Sequence, residues 1–228
     1  MLIKNKNHST LWVENSKIKI IDQTKLPFKL IIKELKTLGD FCRAISQMEV
    51  RGAPLIGVTA AFGLALALRK DASSKNIDKS INALLETRPT AVNLRWALSY
   101  IFKRIKNKRI QDRAKLSLEL AKKIRHEDII NCFKIGLNGY KIIEKIYKKK
   151  KKPINILTHC NAGWLATIDW GTALSPIFLA NRNGLPVHIW VDETRPRNQG
   201  ALLTAWELEN EKIPYTIIVD NAGGYLMQ

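Results

Sequence analysis

Three short β-rich runs alternate with helix-length patterns over residues 154–227, and this alternation limits the fold more than any other feature of the chain. The runs are Ile154–Thr158, Val187–Val191 and Tyr215–Val219, and the helical patterns between them include Gly171–Asn181 and Gln199–Glu211. Strand and helix in alternation imply parallel strands joined by crossovers, hence an open α/β sheet with helices on its faces. Ligands of such sheets bind outside the carboxyl ends of the strands. Each run ends in polar or small residues: His159-Cys160-Asn161-Ala162-Gly163, Asp192-Glu193-Thr194-Arg195 and Asp220-Asn221-Ala222-Gly223. Chemistry is expected at those ends.

The preceding residues read as mostly helical. Leu11–Glu14 and Lys17–Ile21 bracket Asn15-Ser16, which predicts a hairpin. Leu38, Phe41, Ile45 and Met48 recur at helical spacing. Arg51-Gly52-Ala53-Pro54 then separates two helices, with Pro54 suited to a first helical turn. That tetrapeptide has two readings, a plain helix–helix turn or an anion site at a helix N-terminus beside an arginine. Lys75–Glu86 predicts a helix ended by Arg88-Pro89, so Arg88 falls on a short connection. Thr90 is placed to cap the next helix, whose stripe is Leu94, Leu98, Ile101, Phe102 and Ile105. Arg113–Ile124 and Ile129–Tyr147 read as two more helices. Gly136 and Gly139 inside the second predict close packing against a neighbour, because glycine in a helix interior costs about 1 kcal/mol relative to alanine. The basic run Lys148–Lys152 divides the chain into a helical domain with a small β-hairpin, residues 1–150, and a Rossmann-like α/β domain, residues 151–228.

Composition removes several classes of function. Lys and Arg number 38 against 20 Asp and Glu, a net charge of +18, but the lysines are scattered and only Lys148–Lys152 forms a run. No aromatic-interleaved basic stripe accompanies them, so nucleic acid is not the expected partner. A positive field suits a small anionic substrate equally well. Cys42, Cys132 and Cys160 are odd in number and far apart, which indicates neither a disulfide framework nor a metal site. The N-terminal MLIKNKNHST has no apolar core of a signal peptide. Leu55–Leu68 is too short to span a bilayer and reads as a buried helix. No membrane partner and a cytoplasmic location are expected.

The residues alone leave the site open. A lone cysteine such as Cys160 is usually an inert buried hydrophobe. His159 points away from it if strand alternation continues, and reads as structural. Asp192 and Asp220 end strands and could each serve as an acid–base carboxylate. Gln199 could be a simple helix-start partner, and Arg195 and Arg197 flank the same loop.

The segments THCNAG, DETRPRNQGALLTAWEL and DNAGGYLM, with RGAPLIG at Arg51–Gly57 and TRPTAVNL at Thr87–Leu94, resemble the methylthioribose-1-phosphate isomerase family. Its superfamily includes ribose-1,5-bisphosphate isomerases and the regulatory subunits of the eukaryotic initiation-factor guanine-nucleotide exchanger. The resemblance covers nearly the whole chain. It implies conversion of 5-methylthioribose 1-phosphate to 5-methylthioribulose 1-phosphate in methionine salvage, an aldose–ketose isomerisation. It further implies a catalytic Cys160, substrate binding by Arg51, Gly52, Ala53, Arg88 and Gln199, no metal or organic cofactor, and a homodimer. In the family a further strand ending in G-A-D-R, whose Asp is the proton donor, and an Asn-Lys pair follow the DNAGGYLM-like segment. The expectation is therefore a C-terminally truncated chain with an incomplete sheet, impaired alone or completed by a separately encoded C-terminal fragment. Two alternatives stay open: a ribose-1,5-bisphosphate isomerase and a non-catalytic regulatory homologue.

Overall fold

A computed structural model describes residues 1–228. In chain order the elements are β1 (Leu2–Ile3), β2 (Lys6–Asn7), β3 (Leu11–Glu14), β4 (Lys17–Ile21), β5 (Ile32–Leu35), α1 (Leu38–Ser46), α2 (Ala53–Lys70), α3 (Ser74–Thr87) and α4 (Val92–Ile105). They continue with α5 (Ile110–Lys150), β6 (Ile154–Thr158), α6 (Ser175–Arg182), β7 (Val187–Asp192), α7 (Ala205–Asn210), β8 (Tyr215–Ile218) and α8 (Gly223–Leu226). The fold is mixed α/β, as the pattern predicts. The residues pack as two compact units, one of residues 10–25 and 30–128, the other of residues 1–9, 26–29 and 129–228. The chain changes unit inside α5, ahead of the basic run at 148–152.

The first of these units is built around α2. The predicted hairpin forms, with Leu11 opposite Ile20 and Asn15-Ser16 both at positive φ, as tight hairpin turns require. The sequence reading missed β5, which pairs antiparallel with β4 and makes the sheet three-stranded. Helix α1 starts with a capping box, in which Thr37 Oγ1 accepts from the Asp40 N–H and the Asp40 carboxylate accepts from the Thr37 N–H. Helix α2 is long and apolar enough to cross a membrane, but 72% of it is buried inside the protein. It is a core helix, with Phe41, Ile45, Leu84, Leu94, Leu98 and Ile101 among the buried side chains around it. Thr90 does not cap α4: the N-cap is Ala91, with no side-chain hydrogen bond.

The two helices expected over 113–124 and 129–147 are one 41-residue helix. Arg125-His126-Glu127-Asp128 is polar but contains neither Gly nor Pro, so nothing ends the hydrogen-bond ladder there. In the other unit, the part of α5 beyond residue 128 packs on α6. A side chain on Gly136 would run into Ser175, and one on Gly139 into Pro176. Ser175 Oγ donates to the Cys132 carbonyl at 2.9 Å, closing this expected contact.

The predicted parallel sheet forms in the order β6-β7-β8, with Ile154 opposite Val187 and Asp192 opposite Ile218. Val187, Ile189 and Val191 are buried between the layers with Phe178, Leu203 and Leu208. The helix after β6 begins at Ser175, later than the Gly171 start that the pattern suggested, and a separate 3₁₀ turn, Trp164–Ala166, precedes it. The helix after β7 begins with a π-helical turn, Gly200–Thr204, that runs into α7. The N-terminal hairpin β1–β2 joins this unit, where the Leu2 N–H donates to Glu211.

Candidate active site

All three strand ends are tied to one another at the carboxyl edge of the parallel sheet. His159 Nδ1 lies 3.1 Å from Asp192 Oδ2, joining β6 to β7. The Asp220 carboxylate after β8 accepts from the Thr194 N–H at 2.7 Å and the Arg195 N–H at 2.8 Å. The Arg195 N–H is the largest influence on Asp220 and holds its carboxyl below the ordinary range; slight burial opposes this, while the Thr194 N–H and the His159 and Arg195 charges assist. Asp192 is 6% exposed, whereas the His159 side chain is 61% exposed. His159, read as structural from the sequence, is a surface tie to Asp192.

Cys160 lies two residues beyond β6 and sits half-buried in the middle of these ties, and no disulfide joins it to Cys42 or Cys132. Its φ is +63°, so the strand alternation, which ends with β6 at Thr158, does not extend to this residue. A left-handed backbone costs a non-glycine residue about 1–2 kcal/mol, so the surroundings must hold it. Its N–H donates to Thr194 Oγ1 at 2.8 Å, and its carbonyl accepts from Thr204 Oγ1 at 2.7 Å.

The following turn rests on a buried carboxylate. Glu207, 0% exposed, accepts from the Trp164 N–H at 2.9 Å, the Leu165 N–H at 3.0 Å and Asn161 Nδ2 at 2.9 Å. Trp164 and Leu165 open the 3₁₀ turn, so Glu207 satisfies N–H groups that a helix start leaves orphaned. Sequence reasoning missed Thr194, Thr204 and Glu207 as members of the site. The only signal was that all three fall inside DETRPRNQGALLTAWEL.

Gln199 stands at the N-cap of the π-helical turn and makes no side-chain cap bond there, so the simple capping role does not apply. Gly200, next in the chain, lies so close to the Asp192 carbonyl that any side chain would collide with it. This contact brings the Gln199–Glu207 segment down onto the strand ends. π-helical turns occur preferentially at functional sites.

In the other unit, Arg51 and Gly52 precede α2. Gly52 is its N-cap at φ +92° and ψ +134°, a backbone that favours glycine, and Pro54 is in the first turn. The approach to this turn is fixed by ion pairs: buried Glu49 accepts from Lys33 Nζ at 2.7 Å, and Lys33 also lies 2.8 Å from Asp22. Ala53 is exposed, and Arg51 and Arg88 are half-buried. Arg88 is the C-cap of α3, on a connection as expected. Gly57 in α2 packs on Asn93 in α4, which places the start of α4 against the first turns of α2. The start of this 18-residue helix directly follows Arg51-Gly52, and a helix N-terminus beside an arginine favours an anion.

His159, Asp192 and Asp220 also form a group whose donor atoms all lie within 4.8 Å of one another, a spacing compatible with a metal ion. Asp220 already uses both oxygens on backbone N–H groups, and the hydrogen bonds account for the grouping as a loop tie.

The fold and these strand-end motifs define a protein of the initiation factor 2 subunit family, to which the chain belongs: that family's model matches residues 49–228. A methylthioribose-1-phosphate isomerase of Escherichia coli is 52% identical over 232 residues, an alignment covering 100% of this chain and 62% of the relative. The solved 5-methylthioribose 1-phosphate isomerase of Pyrococcus horikoshii superposes with TM-score 0.86 at 36% identity, over 98% of this chain and 63% of that one. A translation initiation factor eIF-2B subunit delta from A. fulgidus superposes with TM-score 0.83 at 35% identity, over 97% of this chain and 65% of that one. The chain therefore spans less than two thirds of the length of these relatives.

Proposed function

We propose that this chain is an isomerase that converts 5-methylthioribose 1-phosphate to 5-methylthioribulose 1-phosphate. The carrying observation is 52% identity over the whole chain to a relative of that name, with Cys160 in the turn that closes β6. The reaction moves one hydrogen from C2 to C1 of the sugar. C2 becomes a carbonyl while C1 is reduced, so the formula is unchanged and no external oxidant is required. The phosphate on C1 blocks simple ring opening, and the protein must assist it.

In this reading Arg51, Gly52, Ala53 and Arg88 bind the substrate, and the α2 N-terminus favours its negative charge. Gln199 hydrogen-bonds the sugar. Cys160 carries a proton to or from the reacting carbons, a role a protonated thiol can fill. The same reading makes the protein a cytoplasmic homodimer.

The test is turnover of methylthioribose 1-phosphate, followed by product formation, for the chain and its Cys160→Ser variant. Loss of a positioned acid–base group costs about 10²–10⁴ in rate, so the serine variant should fall by at least that lower bound. Turnover that survives in Cys160→Ser removes the thiol from the mechanism. Ribose 1,5-bisphosphate as the faster substrate would move the assignment to the sister isomerase, and no turnover of either sugar by folded protein would show that this chain alone is not a working isomerase.

A further inference from the structure

We propose that Thr194 and Thr204 are positioning residues for Cys160, clamping its backbone so that the thiol faces the reacting carbons; this rests on the isomerase reading. The two hydroxyls act on opposite sides of the residue. Thr194 Oγ1 accepts from the Cys160 N–H at 2.8 Å and donates to the Asp192 carbonyl at 3.1 Å. Thr204 Oγ1 donates to the Cys160 carbonyl at 2.7 Å and accepts from Asn161 Nδ2 at 3.2 Å. Each hydroxyl uses its one proton and a lone pair, and each proton direction is fixed by its acceptor.

Both threonines are themselves held. Thr194 is left-handed, with φ +64°, and its N–H is taken by the Asp220 carboxylate at 2.7 Å. Thr204 is buried in the π-helical turn, whose start is pressed onto Asp192 at Gly200. The clamp therefore joins all three strand ends to one residue. At φ +63° the Cα–Cβ bond of Cys160 does not continue the alternation of β6, so the direction of the thiol is set by the clamp. A misplacement of about 1 Å at a reacting group costs on the order of a hundredfold in rate.

The test follows alkylation of Cys160 by iodoacetamide in the 228-residue chain, read by peptide mass so that Cys42 and Cys132 do not interfere. Thr194→Val and Thr204→Val keep the side-chain shape and remove both hydrogen bonds of the hydroxyl. Each should raise the alkylation rate of the half-buried thiol by about fivefold or more, the opening expected when one hydrogen bond is lost. Thr194→Ser and Thr204→Ser should stay within about twofold of the parent, since the hydroxyl is retained. In turnover, the valine variants should lower kcat with KM held, a split that general loosening of the fold does not produce.

Unchanged alkylation in folded valine variants overturns the proposal. If those variants do not fold, Asp220→Ala decides, because it frees the Thr194 N–H from the surface: faster alkylation supports the clamp, and an unchanged rate overturns it. Alkylation is read without substrate, so a parent chain that turns over no sugar counts against the isomerase reading while the clamp is still judged on its own.

Discussion

The Arg51–Gly52 turn and the Cys160 turn both need backbone that ordinary residues avoid, and they obtain it by opposite means. At Gly52 the sequence supplies a residue that accepts φ +92° without a side-chain cap, followed by Pro54. At Cys160 the residue resists its conformation, and side chains from elsewhere impose it: Thr194 is 34 positions away and Thr204 is 44. The first solution is local and indifferent to its surroundings. The second is distributed, and it fails if any of several partners is lost. The distributed solution also leaves a thiol where a glycine would have no side chain, which suits the role proposed for Cys160.

The largest test of this contrast is Glu207→Leu. It would remove the buried acceptor of the Trp164 and Leu165 N–H groups and one of the two acceptors of Asn161 Nδ2. Each orphaned backbone group costs about 1–3 kcal/mol, so a loss of about 2–6 kcal/mol in urea unfolding is expected. Glu207→Gln keeps one acceptor oxygen and should cost less. Equal destabilisation by both would mean that charge and not acceptor number holds the turn.

Gly52→Ala comes next. It asks whether the local solution depends on glycine alone, and a strained backbone at such a position costs about 1–3 kcal/mol. The Cys160 turn is held by other residues, so its alkylation rate should not change in this variant. A change there would show that the two turns are coupled.

These effects parallel what was legible in the sequence. Runs 154–158, 187–191 and 215–219 match β6, β7 and β8 to within one residue at their ends, because short apolar runs bounded by polar clusters carry their own boundaries. Asn15-Ser16 announced its hairpin, and Gly136 and Gly139 announced a close contact. What stayed hidden was non-local. β5 depends on pairing with β4 and not on any strong pattern of its own. The break expected within α5 was a change in polarity, which does not interrupt a helix. At the site, Cys160 and Gln199 stand out through family resemblance, whereas Thr204 and Glu207 look like ordinary polar positions on a helix. Their roles come from what lies across the sheet edge, and no spacing encodes that.

The smallest expected effect is a pH dependence confined to the distributed turn. Asp220 has a depressed carboxyl, so the tie it makes is fully present above the unfolded carboxylate value of about 4 and is lost as pH falls through the lower folded value. His159 and Arg195 are the charged groups that face Asp220, and both favour its ionised form. Amide exchange at Thr194 and Arg195, corrected for intrinsic rate, should therefore lose a few-fold of protection as pH drops below that range. Gly52 has no side-chain cap to protonate, and the Ile56 N–H that bonds its carbonyl at 3.0 Å should stay protected until the unit unfolds. Loss of protection at Ile56 together with Thr194 would show that the turns open as one. Loss at Thr194 alone would show that only the turn built from distant side chains can be released by removing a single charge.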